Sequence, residues 1–283
     1  MNYRHAYHAG NFADVLKHVI LARVLVYLAQ KPTPFRVIDA HAGTGRYDLG
    51  GVEAGKTAEW RDGIGRLMAV AHPAQVQELL RPYLDAVAAV NSGTDISYYP
   101  GSPRIAHYLM REGDQLIANE LHSDDFALLK ADLGHEADTK VMNIDALHAI
   151  KSLLPPRERR GVVLIDPPFE KADEFSRLID MLGEGLKRFA NGVFIIWYPV
   201  KDPTAANDLR AGAERVAKGK MLDCRLRVCA AEPGLGLTET GVLVVNPPFT
   251  LKGELEQLLP YLAGVLQEGR GAGHEVVVGT AVP

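Results

Sequence analysis

Val162-Val163-Leu164-Ile165-Asp166-Pro167-Pro168-Phe169 is a continuous apolar run that stops at an acid, two prolines and an aromatic ring. A short, mostly β-branched run bounded by breakers suits a central parallel strand, which is covered on both faces and need not alternate polar with apolar positions. Proline has no N–H for the ladder, so the strand must end at Asp166. In open α/β sheets ligands settle just beyond the carboxyl ends of the strands, where Asp166 to Phe169 is expected.

An acid, two prolines and a ring at such an edge suit the methylation of an amino group conjugated to a ring or carbonyl. That nitrogen is a poor nucleophile because its lone pair is delocalised, and stripping a proton from it beforehand is too costly. If the Asp166 carboxylate and the Pro167 carbonyl accept its two N–H bonds, the nitrogen is drawn towards a pyramidal geometry with its lone pair facing the methyl donor. Phe169 then stacks on an extruded base. The alternative is an acid that closes a strand while the prolines merely turn the chain. Val242-Leu243-Val244-Val245-Asn246-Pro247-Pro248-Phe249 repeats the grammar near the C-terminus. Only one of the two can face a cofactor.

The rest of the chain decides between them. Phe35 to Asp39 reads as a strand, and His41-Ala42-Gly43-Thr44-Gly45 as a glycine turn that brings backbone N–H groups close to a ligand. The third glycine of the dinucleotide fingerprint is missing, which counts against an oxidoreductase. The next β-like run, Gln115 to Glu120, comes much later than the roughly thirty residues a simple βαβ unit needs. The apolar spacing around Ile64, Leu67 and Met68 and from Tyr83 to Val90 makes residues 48–97 a helical insertion. Residues 1–47 and 98–283 form the main domain, with an N-terminal arm and helix over 1–31.

Ser102, followed by Pro103, is read as the N-cap of a helix through about Arg111 whose free amides point at the cofactor. Glu120 and Asp145 each close a β run, the first suited to ribose hydroxyls and the second to an adenine edge. With Asp39 and Asp166 they make four successive strand ends that carry an acid, although Glu120 or Asp145 alone is as well explained by a solvated loop. Ala172 to Phe189 reads as a helix, Gly192 to Pro199 as a fifth strand, Arg225 to Ala230 as a sixth and Gly241 to Val245 as a seventh. This alternation predicts an α/β fold with a Rossmann-like seven-stranded sheet. Asp166 then ends the fourth strand, beside the first, and Asn246 ends the last and is structural.

At the N-terminus Asn11 caps an amphipathic helix that carries Val15, Leu16, Val19, Ile20, Val24, Tyr27 and Leu28 and stops at Lys31-Pro32. His5, His8 and His18 lie close together but lack an obvious further ligand, so ring stacking, hydrogen bonding or contact with a nucleic-acid backbone is expected of them, and no metal. With 47% hydrophobic and 23% charged residues the chain of 283 is of ordinary globular composition. No apolar run is long enough for a membrane span or a secretion signal, which makes cytoplasm the expectation. Cys224 and Cys229 are expected to be buried thiols. A net charge of −4 argues against indiscriminate coating of nucleic acid. Arg4, Lys17, Arg23, Arg157, Arg159 and Arg160 are nonetheless read as a local phosphate track around the strand ends.

Taken together, Tyr3-Arg-His-x-x-His-Ala-Gly-Asn11, Asp14-Val-Leu-Lys-His18, Asp39-x-His-Ala-Gly-x-Gly-Arg-Tyr47, Tyr98-Tyr-Pro-Gly-Ser-Pro103, Glu120-Leu-His122, Leu164-Ile-Asp-Pro-Pro168 and Trp197-Tyr-Pro199 resemble the bacterial 23S ribosomal RNA adenine-N6 methyltransferase J family. The resemblance implies a class I methyltransferase fold with a small helical insertion and S-adenosylmethionine as methyl donor, without a metal. It implies Lys17, His18, His41, Gly43, Ser102, Glu120, Asp145, Ala146 and Asp166 at the cofactor, and Asp166, Pro167 and Phe169 at the reacting amine. Tyr3, with Arg4 and His5 on the same arm, is implied to face the RNA. Phe169 stands where tyrosine is common in that family, and Ala146 where glycine occurs. The expected partner is 23S ribosomal RNA, protein-free or in an early assembly intermediate, met by a monomer away from any membrane. The rivals are a methyltransferase of DNA adenine or of a protein glutamine amide, and a non-catalytic RNA-binding module that keeps the fold.

Overall fold

The computed structural model describes residues 4–93, 95–170, 173–232 and 234–280. Along the chain come α1 (Phe12–Ala29), β1 (Arg36–Asp39), β2 (Arg46–Asp48), α2 (Val52–Thr57), α3 (Ile64–Ala69), α4 (Ala74–Ala89), β3 (Tyr98–Pro100), α5 (Ser102–Leu109), β4 (Gln115–Asn119), α6 (Ser123–Leu133) and β5 (Thr139–Met142). The second half runs α7 (Ala146–Leu153), β6 (Gly161–Ile165), α8 (Glu174–Arg188), β7 (Val193–Pro199), α9 (Pro203–Ala217), β8 (Met221–Arg227), β9 (Glu239–Val245), α10 (Leu251–Val265) and β10 (Gly273–Val278).

β6 is the hinge of the architecture. All five of its residues are buried, and it pairs in parallel with β1 on one side and β7 on the other. Successive side chains point to opposite faces of a strand. Val162 and Leu164 accordingly enter the core on the α1 side, while Val163 and Ile165 enter the second core, with Leu178 of α8 and Leu209 of α9. Two covered faces explain why the run is apolar throughout rather than alternating.

The main sheet has the order β10-β8-β9-β7-β6-β1-β4-β5. β5, β4, β1, β6 and β7 are parallel, whereas β9 runs antiparallel to both β7 and β8. This is the expected Rossmann-like α/β arrangement with eight strands instead of seven. β10, the addition, pairs antiparallel with β8 at the sheet edge. Its side chains are exposed or half-buried, so it carries little of the apolar signal by which a strand is recognised.

Local boundaries differ in instructive ways. The sixth strand of the sequence reading starts at Met221 rather than Arg225. Gly101 occupies the N-cap of α5 and Ser102 is its first helical residue, which turns the serine hydroxyl away from the helix amides. The helix expected from Ala172 begins at Glu174, and Ala172 itself lies outside the described residues. Asn11 does cap α1, its side chain accepting from the amides of Ala13 and Asp14. That helix is not amphipathic: Asp14, Lys17 and His18 are buried along with its apolar residues. α1 is clasped by α4, α5, β6 and β9, so its polar stripe faces a site instead of solvent.

Candidate active site

The carboxyl ends of β1, β4 and β6 open on a cavity of about 300 Å³. Lys17, His18, His41, Gly43, Ser102, Glu120, Asp145, Ala146, Asp166 and Pro167 all line it. The structure therefore brings the nine residues expected at the cofactor into one wall. They arrive from α1, the β1–β2 loop, the start of α5 and the ends of β4, β5 and β6, as the parallel topology requires.

Each acid is held differently. Asp39 accepts from the Ser102 hydroxyl at 2.6 Å and from the His41 amide at 3.3 Å. Burial nevertheless pushes its carboxyl up to about 7. Glu120 accepts from the Gly43 amide at 2.9 Å and the His122 amide at 2.7 Å, and burial raises it too. Gly43 has φ +60°, and a Cβ there would collide with the Tyr47 hydroxyl, so only glycine brings this amide to Glu120. Asp145 caps α7 by accepting from the His148 amide at 3.1 Å and pairs with Arg177 at 3.6 Å.

Asp166 lies where β6 stops. Its amide donates to His41 Nδ1 at 3.2 Å, and burial lowers His41 to about 4, which keeps the imidazole neutral. Asp166 Oδ2 accepts from the Lys17 ammonium, which also meets Asp14 Oδ1 at 2.8 Å. Burial works against the charge on Lys17, but attraction from Asp14 and Asp166 outweighs it and its pKa stands above the ordinary lysine value. Burial likewise opposes the Asp14 charge, yet His5 and Lys17 hold that carboxyl well below the usual range. The result is a row of alternating charges, which fixes the Asp166 carboxylate in place.

A second, wider cavity of about 880 Å³ adjoins the first and shares His5, Lys17, Asp166, Pro168 and Glu170 with it. Phe169, Trp197, Pro199 and Lys201 lie on its wall. Phe169 adopts φ +52°, a left-handed backbone that is costly for an aromatic residue. Its ring meets Phe175 at 5.4 Å and Trp197 at 5.5 Å, edge to face in both cases. The strained turn swings Phe169 out of the first cavity and onto the boundary with the second.

The arm and the basic residues need correction. Tyr3 lies outside the described residues. Arg4 pairs with Asp125 at 3.1 Å and with Glu53 at 3.6 Å, and His5 Nε2 lies 2.9 Å from Asp14 Oδ2. His8 meets Glu59 and His18 Nδ1 meets the Tyr99 hydroxyl, so the three histidines are each tied to a side chain rather than gathered around one point. Arg157, Arg159 and Arg160 precede a strand parallel to β1 and therefore sit at the opposite edge from Asp166. Arg160 is spent on the carbonyls of Leu28 and Thr33, and Arg23 is tied to Glu254. The phosphate track read from the sequence does not assemble. Cys224 is buried but Cys229 is partly exposed.

Asp14, Tyr47 and Arg177 were not assigned a place at the site from sequence. Tyr47 and Arg177 line the first cavity, and Asp14 anchors Lys17. The spacing of Asp14, Lys17 and His18 on one helical face was the available signal.

The family model described as "Ribosomal RNA large subunit methyltransferase D, RlmJ" matches residues 32–278. The chain is 37% identical over 278 residues to ribosomal RNA large subunit methyltransferase J of Escherichia coli (strain K12), covering 98% of each. It is 38% identical over 274 residues to the protein of the same description from Haemophilus influenzae, covering 96% of each. Among solved structures, a Legionella pneumophila protein superposes with a TM-score of 0.88 at 29% identity, covering 96% of this chain and 99% of that one.

Proposed function

This chain belongs to the family of ribosomal RNA large subunit methyltransferase J, and from that premise we propose that it methylates N6 of one adenine of 23S ribosomal RNA with S-adenosylmethionine. The observation that carries the reading is Asp166, which ends β6 beside β1 with its carboxylate held by Lys17 at the join of two cavities. The first cavity fits a nucleoside sulfonium. Glu120 stands where vicinal hydroxyls would donate, Asp145 and Ala146 border the next strand end, and the acids Glu120, Asp125, Asp145 and Asp166 on its lining suit a positive charge. When bound, the donor supplies an electrophilic methyl group. Residues 48–97, which carry α2, α3 and α4, are proposed to be an insertion in the main domain.

The chain's own residues would act on the amine. Lys17 holds the Asp166 carboxylate in place through Oδ2, so that Oδ1 accepts one N–H of the adenine amine while the Pro167 carbonyl accepts the other. Both bonds strengthen as positive charge develops on nitrogen, so they stabilise the transition state more than the ground state. After transfer the Asp166 carboxylate is the nearest acceptor for the proton that nitrogen sheds. Phe169 and Trp197 offer the base a ring wall, and the second cavity gives an extruded nucleotide room to enter. Tyr3 and His5 are proposed to face the RNA from the arm. Protein-free RNA, or an early assembly intermediate, suits a base that must leave its stack, and cytoplasm is the matching compartment.

The test is methyl incorporation into protein-free 23S ribosomal RNA, assembled large subunits, duplex DNA and a release factor. Transfer to the free ribosomal RNA is expected. Asp166→Ala should lower it by ~10²–10³-fold while thermal unfolding stays cooperative. Transfer to DNA alone would reassign the substrate, and RNA binding without transfer to any of the four would leave a binding module.

A further inference from the structure

The buried contact of His18 with two tyrosines has no part in the reaction just described. His18 is 1% exposed, and its ring stacks on Tyr99 with centroids 5.6 Å apart. Its Nδ1 lies 2.6 Å from the Tyr99 hydroxyl oxygen, which lies 3.0 Å from that of Tyr83. Tyr83 and Tyr99 are both fully buried. The three side chains come from α1, β3 and α4, so the chain of hydroxyls runs from the helical stretch between β2 and β3 to the wall of the first cavity.

Two proton arrangements are conceivable, because neutral imidazole has one donor and one acceptor nitrogen and each phenol has one proton to place. Burial lowers His18 to about 3, so the neutral ring is the one to consider. If Tyr83 donates to Tyr99 and Tyr99 donates to Nδ1, each phenol proton has an acceptor, and Nε2 carries the imidazole hydrogen. If Nδ1 donates instead, Tyr99 either donates to Tyr83 or accepts from it as well, and in each case one of the two phenol protons has no acceptor among the described residues. Leaving a buried hydroxyl proton without an acceptor is disfavoured. The far side of the ring favours the same answer independently. His18 Nε2 lies 4.0 Å from Asp14 Oδ1, where an N–H is attracted to the carboxylate and a lone pair is repelled.

We propose that Tyr83 and Tyr99 are positioning residues that lock His18 as the Nε2–H tautomer, so that α4 sets a hydrogen-bond donor on the wall of the cofactor cavity. The donor serves an acceptor atom of the bound methyl donor, such as a carboxylate oxygen, and in this the proposal rests on the cofactor reading above. The stretch that contributes α4 thereby takes part in cofactor binding although none of its described residues lines the first cavity.

The test is a nitrogen spectrum of the full-length protein labelled with ¹⁵N-histidine, read beside S-adenosylmethionine binding by calorimetry. In the unmodified protein His18 should show a pyridine-type Nδ1 and a pyrrole-type Nε2. The reverse pattern would overturn the proposal whether or not the cofactor reading holds. Tyr99→Phe keeps the stacked ring and removes the hydroxyl. It should weaken S-adenosylmethionine binding by about ten-fold, raise the KM for that cofactor far more than it changes kcat, and mix the two tautomers. Unchanged affinity with an unchanged spectrum would contradict it. Tyr83→Phe leaves the inner bond in place and should give the same effects in weaker form, which keeps the test open should Tyr99→Phe fold poorly. Failure of the unmodified protein to bind S-adenosylmethionine would sink the cofactor reading, and the spectrum would still decide the tautomer.

Discussion

Asp166-Pro-Pro-Phe169 and Asn246-Pro-Pro-Phe249 are nearly the same tetrapeptide after nearly the same strand, and the fold sends them to opposite edges of one sheet. β6 is parallel to β1, so Asp166 emerges at the ligand edge with Asp39, Glu120 and Asp145. β9 is antiparallel to β7 and pairs Val245 with Phe194, so Asn246 emerges where β7 begins. There its side-chain amide donates to the carbonyls of Ala190 and Gly192 at 2.9 and 2.8 Å. Phe169 is half-buried against Phe175 and Trp197, whereas Phe249 is 83% exposed and touches Tyr27 edge-on. Both turns use the left-handed backbone, at Phe169 and at Asn246. The lesson is that strand direction, which a local motif does not encode, decides whether the motif meets a ligand.

The contrast is broken most severely at Lys17. Lys17→Met leaves the Asp14 and Asp166 carboxylates without the ammonium between them, a loss of ~3–5 kcal/mol for a broken buried pair. Thermal melts should show that loss, and single-turnover transfer should fall by at least ~10². Next comes the aromatic position. Phe169→Ala should slow transfer by ~10–100-fold, since stacking of one base is worth ~1–3 kcal/mol, and Phe249→Ala should leave the rate alone. Equal losses from the two alanines would erase the distinction.

A further effect at the ligand edge depends on pH. The folded pKa of Asp39, about 7, lies above its ordinary value of 3.8. The stability contributed by its neutral form is therefore present at pH 4 and lost as pH rises through 7. Asp39→Asn should gain stability relative to the unmodified protein across that window, by up to ~4 kcal/mol, and hold the gain above it. His18 and His41, lowered to about 3 and about 4, act in the other sense. Their neutral forms stabilise the fold above pH 6.5, and that contribution drains as pH falls. A difference between melts of the two proteins that stays flat from pH 4 to 8 would remove Asp39 from this account.

Much of this was legible before any coordinates. The apolar run before Asp166, the acids at successive strand ends and the glycine turn at Gly43 follow from periodicity and breakers, and Gly43, Glu120, Asp145 and Asp166 line one cavity, with Asp39 buried behind it. β10 escaped because an exposed edge strand lacks an apolar pattern. The polar stripe of α1 escaped because sequence shows the spacing of Asp14, Lys17 and His18 but not that neighbouring elements bury it. The arginines before β6 were misplaced because their nearness to Asp166 along the chain hides the length of a strand between them.

The account is tested most directly by exchanging the two acceptors and following single-turnover methyl transfer to protein-free 23S ribosomal RNA. Asp166→Asn should slow transfer by ~10²-fold with S-adenosylmethionine still bound. Asn246→Asp, which sets a carboxylate against two backbone carbonyls, should melt earlier and transfer methyl at a rate within about threefold of the unmodified protein. Loss of transfer in Asn246→Asp together with a normal rate in Asp166→Asn would place the chemistry at the other edge of the sheet.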